Sequence, residues 1–273
     1  MIKRPGLVVT TLAALMAVFL LMPLLAVIPV SFTPERYLSV PTDEWSLRHY
    51  RTLIENPAWG EAVWLSLRIG VMSAALSTTL ALAFSLGIWM LRPRFAGLMM
   101  GIALLPMVAP PVVSALTLYF FLISLSGYNS FLAYDTFAGV VLAHAVMSVP
   151  FAVVMITVAL GQIDRRIDLA ARAMGAGLGT RIFRVILPNI RFGVVVAFFL
   201  AFMLSWEEIG VTIFITSVNV ATLPRMMWMG LRDNIDPAIA AISVVLIVLV
   251  VCVILMRSAV QALQRRRRAD KAA

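Results

Sequence analysis

The chain has one cysteine, Cys252, among 273 residues, which excludes a disulfide framework or a thiolate metal site built within it. It has two histidines, His49 and His144, so there is no metal-ligand cluster and no Ser/His/Asp arrangement to suggest hydrolytic chemistry. Charged residues are also scarce, at 13 % of the chain against about 25 % in a typical soluble domain. With hydrophobic residues at 62 %, that scarcity excludes an ordinary soluble fold and defines an integral membrane protein. No internal repeat and no linker between separate domains is visible, so the chain reads as a single all-α membrane domain over residues 1–273.

Six uncharged or nearly uncharged runs are long enough to span, at about 20 residues and 1.5 Å rise each. They lie at about 7–32, 63–91, 98–125, 137–162, 192–217 and 237–256. The first run is far longer than the roughly 7 to 15 residues of a signal-peptide core, so a retained helix is expected. Six spans put both termini on one side. That side carries Lys3, Arg4, Arg92, Arg94, six arginines between residues 165 and 191, Arg257, Arg265 to Arg268 and Lys271, which is 16 of the 22 basic residues. The positive-inside rule then makes both termini cytoplasmic. The net charge of +9 is an insertion signal rather than a nucleic-acid footprint, and the Arg265 to Arg268 tail reads as a lipid-surface anchor.

Opposite lie Thr33 to Ala62, with Trp45, Tyr50 and Trp59, and Asn219 to Asp236, with Met226, Met227, Trp228 and Met229. Their amphipathic rings suit the membrane interface.

The fourth and fifth spans are joined by a polar island, residues 164–190, carrying Arg165, Arg166, Arg172, Arg181 and Arg184. Good helix formers run from Asp168 to Met174, with the carboxylate near the favourable end of the helix dipole. Gly175, Gly177 and Gly179 are expected to end that helix, and Pro188 to close a second short segment. Gly175 to Thr180 does not follow a strand and ends in no Lys-Ser/Thr, so it is not a phosphate loop, and the chain has no nucleotide site of its own.

Within the island, Ala170, Ala171, Gly175, Val185, Leu187 and Pro188 stand at a fixed spacing that resembles the cytoplasmic loop of permease subunits of binding-protein-dependent ABC importers. The resemblance implies that Asp168, Ala170, Ala171, Gly175, Gly177, Leu187 and Pro188 form a coupling helix and its flanks, seated on an ATPase. Where that family usually has Glu before the two alanines, this chain has Leu169, with Asp168 one place earlier. Further along, Leu105 to Val113, His144, Pro150-Phe151, Asp164 and Ser205-Trp206-Glu207-Glu208 resemble the spermidine/putrescine branch, although Pro111 stands where relatives often carry an acid. The implied partners are a second permease subunit, two cytoplasmic ATPase subunits that bind the ATP and magnesium, and a periplasmic solute-binding protein meeting the outer loops. The implied location is the bacterial inner membrane. No cofactor is expected in this chain, and it is not itself an enzyme.

Glu207 is the sixteenth residue of the expected fifth span, roughly 22 Å along it. Carboxylates at such depth are costly and should face protein or water. Two readings stand side by side: Ser205, Trp206, Glu207 and Glu208 line a path for a cationic solute, or an acid pairs with Arg68 or caps a break in the helix. Pro106, Pro110 and Pro111 remove backbone donors from the third span, giving either a hinge or a static kink. His144 reads as a residue satisfied by a neighbouring helix, with titration or solute binding as the other reading. The sequence thus favours an ATP-driven importer subunit for a polyamine. Its alternatives are an importer for another small amine-containing or organic solute, and a proton-coupled carrier using Glu207 and Glu208.

Overall fold

The computed structural model describes residues 6–233 and 236–270, and the side chains of all of these except 263 and 265–270. Lys3, Arg4 and Lys271, and the side chains of Arg265 to Arg268, lie outside the described residues. Every regular element among the described residues is helical. The chain forms two compact units, Met1–Gly60 with Met227–Ala273, and Glu61–Met226.

In the first unit, α1 (Leu7–Val30) buries none of its residues within this chain and touches α12 (Ala238–Asp270), which also receives the short α2 (Arg48–Glu55). Between α1 and α2 the chain folds back on itself. Phe32 packs against the rings of Trp45 and Tyr50, Ser31 Oγ lies 2.7 Å from Tyr50 Oη, and buried His49 meets the Glu35 carbonyl through Nε2 at 2.9 Å. Trp45 is exposed, whereas Trp59, also expected at the interface, is buried.

The second unit is built on α3 (Pro57–Leu91) and α6 (Phe137–Gly161). Thr136 caps α6 by accepting the Gly139 N–H at 3.1 Å. Serines stitch these two helices together: Ser73 Oγ donates to the Val141 carbonyl, and Ser77 Oγ lies 2.7 Å from Ser148 Oγ. Lipid supplies no hydrophobic force between helices, so close packing and interhelical hydrogen bonds of this kind must hold them. The helix from Leu178 to Glu207 packs along α6, and Gly193 sits so near Ala159 that a side chain there would collide with it.

Two expected spans are broken. The third is not one helix over 98–125 but α4 (Ala96–Val108) and α5 (Pro111–Ser126), bent by 100°. A residue before proline is pushed out of the helical region, and Ala109 and Pro110 are extended accordingly, with ψ of 137° and 134°. Pro111 then starts α5, where its missing N–H is no loss. Pro106, by contrast, lies inside α4 without ending it.

The fifth span starts at Leu178 rather than Phe192. It runs through α8 (Leu178–Thr180), a π-helical turn (Arg181–Ile186) and α9 (Leu187–Glu207). Gly179 and Pro188 therefore sit inside this helix instead of ending a loop. The wider turn ahead of Pro188 accommodates a residue that has no N–H to donate. Extended Glu208 stops α9, and α10 (Gly210–Ile215) follows, so helix does not continue unbroken to Ser217. Among the described residues, five helices are long and apolar enough to cross a membrane, or six if the bent pair counts as one span.

Beyond α10, the backbone from Ser217 to Val220 wraps around Asp135. The carboxylate accepts the N–H groups of Ser217, Val218, Asn219 and Val220 at 2.8–3.2 Å, and the Asn219 side-chain amide at 3.0 Å. Burial alone would raise the Asp135 pKa, but the backbone donors of Asn219, Ser217, Val218 and Val220 outweigh it and hold the group below its ordinary 3.8. A lowered folded-state value means the stabilisation is complete above that ordinary value and is lost as pH falls through the lowered one. Replacing Asp135 by Ala should cost roughly 1.5–3 kcal/mol in detergent unfolding near neutral pH. The gap from wild type should close only in acid below the ordinary carboxylate range, and a gap independent of pH would contradict this account.

Candidate functional site

The two helix breaks face one cavity of about 220 Å³, whose wall includes Pro106, Met107, Ala109, Pro111, His144, Met147, Ser148, Phe151, Leu204, Ser205 and Glu208. The α6 contribution follows from helical geometry, since His144, Met147, Ser148 and Phe151 are spaced i, i+3, i+4, i+7 and share a face.

His144 holds the break after α9 in place. Its Nδ1 lies 2.8 Å from Ser205 Oγ on α9 and its Nε2 2.9 Å from Thr212 Oγ1 on α10. The Thr212 hydroxyl gives its one proton to the Glu208 carbonyl at 2.9 Å, so toward His144 it can only accept. That assigns the proton to Nε2 and leaves Nδ1 to accept from Ser205.

Glu208 closes the second break. Its Oε1 accepts the Val211 N–H at 2.8 Å and so caps α10, while among the described residues no protein hydrogen bond reaches Oε2. The carbonyls of Pro106 and Met107 have proline four residues on, at Pro110 and Pro111, and therefore no helical N–H to accept. Among the described residues, no Lys or Arg is in the wall. The cavity is lined mostly by apolar side chains, with Glu208, His144, Ser148 and Ser205 as its polar ones.

The remaining residues singled out in the sequence are dispersed. Trp206 stacks on Phe202, with ring centroids 6.0 Å apart, and Glu207 is exposed; neither is in the cavity wall. Arg68 lies over the Phe137 ring at 5.1 Å and pairs with neither glutamate. Pro110 caps α5 but does not reach the wall. Ser148 and Thr212 were not singled out, although a helical-face plot around His144 marks Ser148. A larger hollow of about 490 Å³ runs between the far ends of α6 and α9. It is lined mostly by apolar side chains and lies away from both breaks.

The polar island forms α7 (Arg165–Ala173), capped by Asp164, which accepts the Arg166 N–H at 2.9 Å. Gly175 ends it with φ of +81°, a left-handed conformation that favours glycine, and exposed Gly177 caps α8. Ala171 is buried and Ala170 exposed; Leu187 is half-buried and Pro188 exposed. Asp168 turns inward to Arg181, and Leu169 is 61 % exposed.

A bent span, a span broken beside an intramembrane acid, and a short amphipathic helix between two spans together define a transport subunit. Residues 79–269 match the family described as binding-protein-dependent transport system inner membrane component, and the chain belongs to that family. It is an ABC importer permease subunit of the inner membrane, and membership sets aside the proton-coupled carrier. It is similar to the putrescine transport system permease protein PotI of Escherichia coli (strain K12), at 28 % identity over 228 residues, covering 82 % of this chain and 80 % of PotI. It is also similar to the molybdenum transport system permease protein ModB of the same strain, at 35 % over 192 residues, covering 64 % of this chain and 81 % of ModB. Among solved structures, an inward-facing form of the MetNI methionine ABC transporter shares the fold with a TM-score of 0.59 at 20 % identity, covering 72 % of this chain and 91 % of that one.

Replacing His144 by Leu should lower stability in detergent by roughly 1–2 kcal/mol for the lost interhelical bonds. An unchanged melting temperature would mean that the histidine does not hold α10 against α6.

Proposed function

We propose that the chain carries a small organic cation, a polyamine such as putrescine or spermidine, through the inner membrane. The observation that carries this reading is a Glu208 oxygen without a protein hydrogen bond among the described residues, in a cavity with no described Lys or Arg in its wall. An ammonium group entering the membrane loses hydration, and a carboxylate with carbonyls can replace it. An anionic solute would meet the same wall with its charge opposed.

Family membership alone leaves the solute open, since a putrescine and a molybdenum permease both match. In the proposed assembly this chain, as one transmembrane domain with both termini cytoplasmic, pairs with a second permease subunit. Its α7, with Ala170, Ala171, Gly175, Gly177, Leu187 and Pro188 around it, seats on one of two ATPase subunits. A periplasmic binding protein delivers solute to the outer loops. ATP binding draws the seated helices together and turns the cavity outward; hydrolysis returns it. The bend at Pro110-Pro111 provides the hinge.

Uptake of labelled putrescine into vesicles carrying the whole assembly is the test. Glu208→Gln keeps an oxygen to cap α10 but removes the charge, and should lower uptake about tenfold, or roughly 1.4 kcal/mol. Glu207→Gln, outside the cavity, should change it little. Gly175→Asp, which forces a side chain into a left-handed turn at the seat, should abolish ATP-driven uptake. ATP-dependent uptake of molybdate in place of putrescine would overturn the cation reading.

A further inference from the structure

We propose that Asp168 and Arg181 form a strap that carries movement of α7 into α9. Asp168 is then a positioning residue inside this chain rather than a contact for the ATPase. The proposal rests on the reading of α7 as the seated helix but is independent of the solute.

The backbone between α7 and the following helix is held by the Ala176 N–H on the Ala171 carbonyl at 3.0 Å, but it turns on glycine. The link from Met174 to Gly177 contains the left-handed Gly175, and a side-chain carbon at Gly175, Gly177 or Gly179 would meet nothing within 4 Å. A push on α7 transmitted only through this link would be absorbed by rotation about its glycines.

The strap bypasses that link. Arg181 donates from Nε at 2.8 Å and Nη2 at 2.6 Å to the two oxygens of Asp168, a planar fork that fixes direction as well as distance. The paired side chains are only 14 % and 12 % exposed, so water competes little for them. The other side-chain ion pair among the described residues, Arg232 with its neighbour Asp233, is 65 % and 44 % exposed and bridges no elements. Asp168 and Leu169 are adjacent on a helix and point about 100° apart, so turning the carboxylate inward presents the leucine outward.

Both ends of the transmission are built. At its start, Arg165 lies over the Trp89 ring at 5.2 Å, tying α7 to the end of α3. Arg181 begins the π-helical turn, and the helix from Leu178 to Glu207 continues for 30 residues, about 45 Å at 1.5 Å rise. Its far end carries Ser205, bonded to His144, and stops at the break beside the cavity. Movement taken up at Asp168 thus reaches the cavity wall through one helix.

The test uses the assembled transporter in vesicles, with Cys252→Ser and Met147→Cys, so that the only cysteine of this chain lies in the cavity wall. The reading is how far ATP with vanadate changes the rate of labelling by a membrane-impermeant maleimide. Asp168→Asn and Arg181→Gln should each shrink that change by at least about fivefold, the lower range of measured couplings. Both should retain the ATPase subunits on purification and continue to hydrolyse ATP. Exchanging the charges, Asp168→Arg with Arg181→Asp, should restore the response. A full response in Asp168→Asn, or an effect of one single variant without the other, would overturn the strap. Loss of the ATPase from Asp168→Asn would overturn it as well, by making Asp168 part of the docking surface.

Discussion

In a bilayer every backbone N–H and carbonyl must find a partner inside the protein or in a water-filled cavity. The second unit is organised around two places where that requirement is strained, the breaks at Ala109-Pro110 and at Glu208. Each leaves polar backbone groups without their helical partners, and at the second of them side chains compensate. Thr212 takes the Glu208 carbonyl, Glu208 takes the Val211 N–H, and His144 links both sides of the break. Only the Thr78 hydroxyl is a buried side-chain polar atom without a partner among the described residues.

The serine contacts between α3 and α6 serve this arrangement. α6 presents His144 and Ser148 to the breaks while Ser148 also meets Ser77 behind it. The wall of the cavity is thereby fixed to the most buried of the long helices in the unit. Small side chains such as Gly193 let α9 lie close along α6, so the end of α9 is set by packing as well as by hydrogen bonds.

Hydropathy made the spans legible because a membrane leaves few alternatives to a long apolar helix. Where the sequence misled, local chemistry overrode hydropathy. Residues 98–125 are uncharged throughout, yet two successive prolines turn the chain by 100°, a magnitude that no count of apolar residues contains. The start of the fifth span was hidden by Arg181, Arg184 and Arg191, which read as loop but are carried on helix. Pro188 reads as a terminator, and the π-helical turn that accommodates it has no sequence signature of its own. At the candidate site, Ser205 and Glu208 were legible as polar residues where lipid should be. The partner of Asp168 was not, because an ion pair 13 residues apart across a glycine turn depends on how that turn closes.

Glu207 and Glu208 show why adjacency in sequence is a poor guide to role. Their side chains leave the helix about 100° apart, and the helix ends between them. Glu207, the last helical residue, is carried outward by the regular geometry of α9. Glu208, already extended, is free of that geometry and turns to the next N–H groups in need of an acceptor. A carboxylate has two oxygens, so satisfying the backbone occupies one and leaves the other without a bond to the described residues. An uncharged cap would close the break equally well, and the proposed attraction for a cation is what a carboxylate adds to it.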